Sequence, residues 1–208
     1  MAKLPNPPAP TELAQRAPAE VYRLPAGSLL ARIYARGGRH PTIWSAFRTQ
    51  GPLGGRFDHH DPAHPEQRRG VFYGALDVST CVAEVFQDTR VLDRAAAERC
   101  LTAFRTTRAL ALLDLTGEWP TKAGASQAIS SGPRPRAQRW ARAIYEAFPE
   151  LEGLWYPAST RGGGIAFALF ERTEYAMPAG PELDLALTHP GLLSDLIRVA
   201  DRLGYLLR

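Results

Sequence analysis

Short apolar segments with the character of strands recur along this chain, and they do not alternate regularly with helices. Ser28–Tyr34 and Val71–Ala75 are typical of strands, whereas Arg136–Phe148 places its apolar residues at helical spacing. Regular alternation of strands and helices would indicate a parallel, doubly wound sheet. Because that alternation is missing, the sequence predicts an α+β fold with a mostly antiparallel β core and surrounding helices.

The remaining apolar segments supply further elements of this fold. Strands are predicted at Leu101–Thr107, Ala109–Leu115, Gly153–Pro157 and Ile165–Phe170, with a tight turn joining the first two and a glycine turn joining the last two. Helices are predicted at Cys81–Asp88, capped by Ser79 or Thr80 and with Val82, Val85 and Phe86 inward, at Leu92–Arg99, and from Pro190, with Leu193, Leu196, Ile197, Ala200 and Leu203 buried. These elements suffice for one sheet with helices packed against it.

The length of 208 residues predicts one core with small appendages. Five prolines in the first eighteen residues indicate an N-terminal arm over residues 1–23, with a short helix at Thr11–Arg16 and the rest extended. The main domain is predicted to span residues 24–180. Residues 181–208 are expected to form a C-terminal helical extension packed on that domain.

Composition excludes several classes of protein. No apolar run approaches the roughly 18–20 residues that cross a bilayer, and the N-terminus lacks the apolar region of a secretory signal. The two cysteines, Cys81 and Cys100, are too few for a disulfide scaffold or a cysteine zinc site. We therefore expect a cytoplasmic protein with no membrane contact.

The charged residues are strongly biased towards arginine. The formal net charge is +4, and all but two of the 25 basic residues, Lys3 and Lys122, are arginine. Codon composition explains such a bias equally well, but guanidinium groups also bind phosphate in a bidentate manner. The charge is modest and scattered, so it permits a nucleotide partner without requiring one.

A few scattered polar residues are candidates for a functional site. Arg32 and Tyr34 lie on one face of a strand, and Arg56 follows two glycines that allow backbone to approach a ligand. Other candidates lie on or near predicted elements; these are Tyr73, Glu84 and Ser159. Each of them also has a structural interpretation, as a surface, ion-paired or turn residue.

The His59–His60 pair, with Asp58, Asp61 and His64 close by, has the composition of a metal site. Adjacent histidines on an extended loop point apart, and two prolines interrupt the segment. A solvated loop is therefore the preferred interpretation, and no metal site is predicted.

Four segments taken together resemble the RES domain family, which is named for its Arg, Glu and Ser motifs. They are ARIY with Arg32, GGRF with Arg56, VFYGALDVSTCVAEVF with Tyr73 and Glu84, and GLWYPASTRGGGIAFALFER with Ser159. They occur in the order of the family, and any one alone is weak. The family often has serine where this chain has Ala158, and here serine follows at position 159.

This resemblance implies a function as well as a fold. RES proteins resemble ADP-ribosyltransferases in fold, and many are bacterial toxins that cleave the nicotinamide–ribose bond of NAD, by hydrolysis or phosphorolysis. It implies Glu84 and Arg32 as catalytic residues. It implies contacts to NAD from Arg32, Tyr34, Arg56, Tyr73 and Ser159. No cofactor is implied beyond NAD as substrate, with inorganic phosphate as a conceivable co-substrate.

The resemblance also implies partners, and it leaves alternatives open. An Xre-type antitoxin is the expected protein partner, a homodimer is one possible state, and direct binding of nucleic acid is not expected. One alternative is transfer of ADP-ribose to a protein target. Another is a non-catalytic module that binds nucleic acid or protein through Arg134, Arg136, Arg139 and Arg142. These arginines also fit the solvated face of the Arg136–Phe148 helix.

Overall fold

The computed structural model describes residues 4–64 and 67–208. Its strands are β1 (Val21–Leu24), β2 (Leu29–Ala35), β3 (Val71–Ala75), β4 (Val91–Leu92), β5 (Arg99–Arg105), β6 (Leu110–Asp114), β7 (Gly153–Pro157), β8 (Ile165–Phe170), β9 (Leu183–Ala186) and β10 (Leu206–Leu207). Its helices are α1 (Pro10–Arg16), α2 (Val78–Phe86), α3 (Trp119–Lys122), α4 (Arg134–Ala147) and α5 (Leu193–Leu203). No helix in the described ranges is long and apolar enough to span a bilayer.

Eight strands form one sheet in the order β1-β6-β7-β8-β3-β2-β5-β9. Within the described residues, all neighbouring pairs of this sheet are antiparallel except β6 and β7. Strands β4 and β10 form a separate parallel pair. The α+β prediction with a mostly antiparallel core is therefore confirmed.

The two faces of the sheet are covered differently. On one face, α4 packs against a cluster that includes Val71 and Leu154, and α2 packs against Ala31 and Ile33. The other face buries a cluster of aromatic side chains under irregular backbone; it includes Phe72, Phe104, Trp155 and Phe167, with Trp44, Phe47 and Met177 packed on it. The helical layer thus lies on one side only.

Helix α4 follows the sequence prediction closely. It begins two residues earlier and ends one residue earlier than predicted, with Pro135 in its first turn. All five side chains expected on its apolar face are buried; they are Ala137, Trp140, Ala141, Ile144 and Phe148. The pairing of β7 with β8 around the glycine turn is also as predicted.

The predicted tight turn between β5 and β6 does not form a hairpin. Strand β5 pairs with β2 and β9, whereas β6 pairs with β1 and β7, so the two strands lie far apart in the sheet. The connecting residues bond elsewhere, because Thr106 N donates to Ser28 O and Thr107 N donates to Ala176 O. Long-range pairing therefore overrides the local turn signal.

Three helix predictions need correction. Helix α2 begins at Val78, and its N-cap is Asp77, which accepts from Thr80 N at 2.9 Å, instead of Ser79 or Thr80. Val85, which was expected to face inward, is exposed. Residues 92–99 are not one helix, because Ala97 and Glu98 have positive φ and only a 3₁₀ turn forms at Ala96–Glu98. Helix α5 follows a 3₁₀ turn at Pro190–Leu192, and it leaves Leu193 and Ile197 exposed while Leu196 and Ala200 are buried.

Both ends of the chain take part in the fold. The predicted short helix near the N-terminus is present as α1, and the unpredicted strand β1 pairs with β6. Leu4 and Leu13 are buried, and Trp140 Nε1 donates to Pro5 O at 2.9 Å. At the other end, unpredicted β9 pairs with β5, and α5 packs on α2.

Candidate active site

A cavity of about 210 Å³ lies on the helical face of the sheet. The residues around it come from β2, β3, the loop at 54–56, α2, the first residue of α4 and the end of β7. They are Ile33, Gly54, Gly55, Arg56, Tyr73, Gly74, Ala75, Cys81, Glu84, Val85, Gln87, Arg134, Tyr156 and Ser159. The cavity therefore has an apolar floor from the sheet and a polar wall of mixed charge.

Glu84 supplies the carboxylate of this wall. It lies in α2 and is partly exposed, and its Oε1 accepts a hydrogen bond from Thr160 Oγ1 at 2.9 Å. Helix α2 is fixed at its N-terminus by the Asp77 cap and packs on Ala31 and Ile33. The position of the carboxylate is thus set by the sheet below and by the loop that carries Thr160.

Two arginines supply the positive charge. Arg56 Nη1 donates to Gly132 O at 2.6 Å, just before α4, and Arg134 is the first residue of that helix. Burial lowers the pKa of Arg56, as does the nearby Arg134 charge, while the Glu84 carboxylate opposes both effects. Two cations and one carboxylate therefore share the cavity, which suits a ligand that carries both negative and positive charge.

Tyr73 is locked by a buried carboxylate. Its hydroxyl donates to Asp58 Oδ1 at 2.8 Å and accepts from Phe57 N at 3.0 Å. Asp58 also accepts from Arg48 Nη2 at 2.5 Å and from Leu53 N at 2.7 Å. This network holds the loop that presents Arg56, and burial raises the pKa of Tyr73 well above its ordinary value.

Gly55 is required by the close packing of this loop. A Cβ at that position would lie 2.6 Å from Tyr73 Oη and closer still to the Asp58 carboxylate. No other residue fits without moving them. The pair of glycines before Arg56, noted in the sequence, therefore lets the backbone close over the Asp58–Tyr73 contact.

Tyr156 and Cys81 complete the buried part of the wall. Burial raises the pKa of the Tyr156 hydroxyl, with a further contribution from the Glu84 charge. Burial also raises the pKa of the Cys81 thiol to about 12, and this thiol donates to Ala31 O at 3.3 Å. Both groups stay protonated near neutral pH and act as neutral surfaces.

Comparison with protein families identifies the chain. The sequence model of the RES domain matches residues 29–188. The chain belongs to the RES domain family. A comparison with curated proteins gave no match.

One similar solved structure is the crystal structure of the M. tuberculosis MbcT–MbcA toxin–antitoxin complex. The alignment has 22% sequence identity and a TM-score of 0.58, and it covers 88% of this chain and 96% of that chain. At this level of identity the similarity shows the fold. It extends well beyond the cavity, over most of the sheet and its helices.

The structure brings together four of the six site residues derived from the RES resemblance. Arg56, Tyr73, Glu84 and Ser159 all line the cavity, with Ser159 exposed at its rim. Arg32 and Tyr34 project from the other face of β2. Strand alternation explains this, because their neighbour Ile33 faces the cavity.

Arg32 is bonded to the protein itself. Its Nη1 donates to Trp44 O at 3.1 Å and to Ala46 O at 2.8 Å, and its guanidinium lies 4.2 Å from the centre of the Phe72 ring. Burial lowers the pKa of Arg32 to about 10. Tyr34 bonds to Asp184 at 2.8 Å on the same face. The catalytic and NAD-binding roles of these two residues stay predictions.

The histidine loop, residues 58–64, is only partly solvated: residues 58–60 are buried, so the interpretation as a solvated loop is wrong there, whereas residues 62–64 are exposed. His59 and His60 are fully buried beneath α4; His59 stacks on Tyr145 and packs at a tilt against Phe170, with ring centres 4.5 Å apart in each case. His59 Nε2 lies 3.4 Å from Glu171 Oε2. Over residues 4–64 and 67–208, no group of three or more His, Cys, Asp or Glu side chains is arranged to hold a metal ion.

Most of the arginines of α4 contact other segments of the protein. Arg136 Nη1 donates to Leu4 O at 2.5 Å, and Arg139 Nε donates to Asn6 Oδ1 at 3.0 Å. Arg142 Nη1 lies 3.5 Å from His60 O. This face of α4 therefore holds the N-terminal segment and the histidine loop, instead of being simply solvated.

Sequence reasoning missed three residues of the site. The sequence pointed to Arg134 only as part of a basic run, and to Tyr156 and Thr160 only as letters of one motif. Arg134 could have been found from its place at the start of a helix next to a glycine-containing loop. Thr160 has no local signal, because its contact with Glu84 joins segments 76 positions apart.

Proposed function

We propose that this RES domain protein degrades NAD by cleaving the bond between nicotinamide and ribose. The observation that carries the proposal is the Glu84 carboxylate in one cavity with the Arg56 and Arg134 guanidinium groups. NAD has a matching pattern of charge, with an anionic pyrophosphate and a cationic nicotinamide ring. Arginine suits the pyrophosphate because guanidinium binds phosphate oxygens in pairs.

Glu84 would act on the ribose carbon. When the C1′–N bond breaks, nicotinamide leaves with the bonding electron pair, which neutralises its ring, and the ribose carbon becomes electron-deficient. A carboxylate beside that carbon stabilises the positive charge of an oxocarbenium-like transition state. An oxygen of water or phosphate then bonds to C1′, and an attacking water gives its proton to the Glu84 carboxylate, which passes it to solvent.

The tyrosines and the sheet would bind the rest of the substrate. Tyr73 is held by Asp58, and Tyr156 is buried against Phe57; both stay neutral, so they offer aromatic surface to the nicotinamide or the ribose. Ile33, Gly74 and Ala75 form the apolar floor. Arg56 is anchored to Gly132 O by one nitrogen, and its other donors are available to phosphate oxygens.

The acceptor is part of the proposal. Water would make the enzyme a glycohydrolase, and inorganic phosphate would make it a phosphorylase. The presence of Arg134 beside Arg56 favours a place for a second anion, so phosphate is the acceptor to test first.

We also propose that the protein is the toxin of a toxin–antitoxin pair. Support comes from membership in the RES family and from similarity in fold to a chain of the M. tuberculosis MbcT–MbcA toxin–antitoxin complex. An Xre-type antitoxin is the partner that the family resemblance implies. Loss of NAD would explain toxicity, because the cell depends on that dinucleotide.

Measurement of nicotinamide release from NAD, with and without inorganic phosphate, tests the proposed reaction. We expect Glu84→Gln to lower the rate by roughly 100-fold or more, because it removes the charge without changing the shape of the side chain. Glu150→Gln, at an exposed position past the end of α4, is the matched control and should keep the wild-type rate.

Each outcome separates one alternative from the others. Release that requires phosphate indicates a phosphorylase, and release without it a glycohydrolase. Labelling of a lysate protein by labelled NAD would instead support ADP-ribosyl transfer. A folded Glu84→Gln variant with near wild-type release would remove Glu84 from the mechanism, and a wild-type protein that neither binds nor consumes NAD would reject the proposal.

A further inference from the structure

The loop between β7 and β8 is folded back on itself. Ala158 N donates to Gly164 O at 2.9 Å, and Gly164 N donates to Arg161 O at 3.1 Å. These bonds close the loop at its base and across its turn. The residues between them are therefore held as a unit instead of following the strands into solvent.

Arg161 fastens this unit to the first turn of α2. Its Nη1 donates to Asp77 Oδ2 at 3.0 Å and to Thr80 Oγ1 at 2.8 Å. The fit is close, since a Cβ on Gly164 would lie 2.7 Å from Thr80 Oγ1. The loop thus lies directly against the helix that carries Glu84.

Thr160 makes the next contact along the same helix. Thr80 and Glu84 are four residues apart in α2 and therefore lie on one helical face. Arg161 bonds to Thr80, and Thr160 Oγ1 donates to Glu84 Oε1 at 2.9 Å. Two consecutive loop residues thus bond to two successive turns of α2.

We infer that Thr160 is the positioning residue of the Glu84 carboxylate, an inference that rests on the proposed function. The β-branched threonine side chain has few rotamers, so its hydroxyl is presented in a fixed direction. A hydrogen bond to one carboxylate oxygen restricts rotation of the group and sets the other oxygen relative to the ribose carbon. Thr160, and not the preceding exposed Ser159, performs this role.

Two substitutions at one position separate the hydroxyl from the shape of the side chain. Thr160→Val keeps the shape and removes the donor, and we expect kcat to fall by roughly 10- to 100-fold with little change in KM. Thr160→Ser keeps the donor and should retain most of kcat. Thr188→Val, at an exposed position that does not line the cavity, is the matched control.

A second measurement reports the contact without using activity. Urea unfolding of Thr160→Val, Glu84→Met and the double variant forms a double-mutant cycle; methionine is used here because a glutamine oxygen would still accept from Thr160 Oγ1. We expect the double variant to be shifted by less than the sum of the two single shifts, because both substitutions remove the same bond. Additive shifts would overturn the contact.

The kinetic outcomes decide the role. A Thr160→Val variant with wild-type kcat would overturn the inference, and so would a Thr160→Ser variant as slow as Thr160→Val. A loss confined to KM would assign Thr160 to substrate binding and overturn a positioning role. If the wild-type protein releases no nicotinamide, the proposed function fails and the positioning role falls with it, while the unfolding cycle still reports the contact separately.

Discussion

Arg32 and Arg56 are both partly buried arginines on opposite faces of the same sheet, and their guanidinium groups are used differently. Arg32 Nη1 bonds to two backbone carbonyls, and one face of the guanidinium plane lies against the Phe72 ring, so the protein itself uses this nitrogen and this face. Among the residues that the structure describes, Arg56 bonds only to Gly132 O, and it lies in the cavity with Glu84. A guanidinium committed to backbone stabilises the fold, whereas one with spare donors can bind a ligand.

The same contrast holds for the loops around the two arginines. On the Arg32 face, residues 44–46 are held by the arginine. On the cavity face the relation is reversed, because the loop around Arg56 is held by Asp58, which bonds to Arg48 and Tyr73. The ligand-facing arginine is therefore supported by a separate network, and this leaves its own donors available.

The largest expected effect distinguishes the two arginines by activity. Arg56→Met removes a cation from the cavity, and we expect NAD turnover at low substrate to fall by roughly 100-fold, since charge-assisted bonds to phosphate are lost. The free energy of unfolding should change little, because only the bond to Gly132 O is lost from the fold. Nicotinamide release and urea unfolding measure the two quantities.

The matched substitution on the other face should give the reverse result. Arg32→Met leaves the carbonyls of Trp44 and Ala46 without their donor, and we expect the free energy of unfolding to fall by about 1–3 kcal/mol. If Arg32 acts only on the fold, turnover per folded molecule should stay near the wild-type value. Loss of turnover without loss of stability would contradict this and would support the catalytic role that the family resemblance implies for Arg32.

The smallest effect concerns acid, and it should come from the cavity face. Burial lowers the pKa of His59 and His60, so the unfolded chain takes up protons that the folded protein resists as pH falls below about 6.5. Burial alone would raise the pKa of Glu171, but hydrogen bonds from His59 and Tyr145 outweigh this effect and lower the pKa to about 2. The stability that Glu171 contributes is therefore fully present above about pH 4.5 and is lost as the pH falls towards 2.

Thermal unfolding between about pH 7.5 and 5.5 tests the histidine contribution. We expect Tm to fall on acidification, and His59→Phe, which keeps an aromatic ring between Tyr145 and Phe170, to reduce that fall. His40→Ala removes an exposed histidine and should leave it unchanged. Arg32 and Tyr34, with pKa values of about 10 and about 12, do not change protonation in this range. A pH-independent Tm would show that the histidine loop is not tightly buried in solution.

The local sequence pattern was sufficient to predict the elements that bury a complete apolar face. Helix α4 and the β7–β8 pair were predicted because their apolar residues follow the helical or strand period along their length. Strands β1 and β9 were missed because each has only four residues and lies at an edge of the sheet. Their pairing depends on partners far along the chain.

The candidate site could be predicted only in part for a related reason. Alternation along β2 correctly places Arg32 and Tyr34 on one face, but it does not say which face has the cavity. The cavity is defined by α2, the loop at 54–56 and the start of α4, which meet only in the folded chain. The buried state of His59 and the contact between Thr160 and Glu84 likewise depend on tertiary structure.

The N-terminal segment packs into the core although it lies outside the region that matches the RES family. The RES match begins at residue 29, yet Leu4 is buried, Trp140 Nε1 bonds to Pro5 O and Trp119 Nε1 bonds to Ala17 O. The indole N–H groups of Trp119 in α3 and Trp140 in α4 therefore find their hydrogen-bond acceptors outside the matched region. For anyone trimming this chain, the family boundary would cut through a hydrophobic core, and the helix that carries Arg134 would lose its outer support.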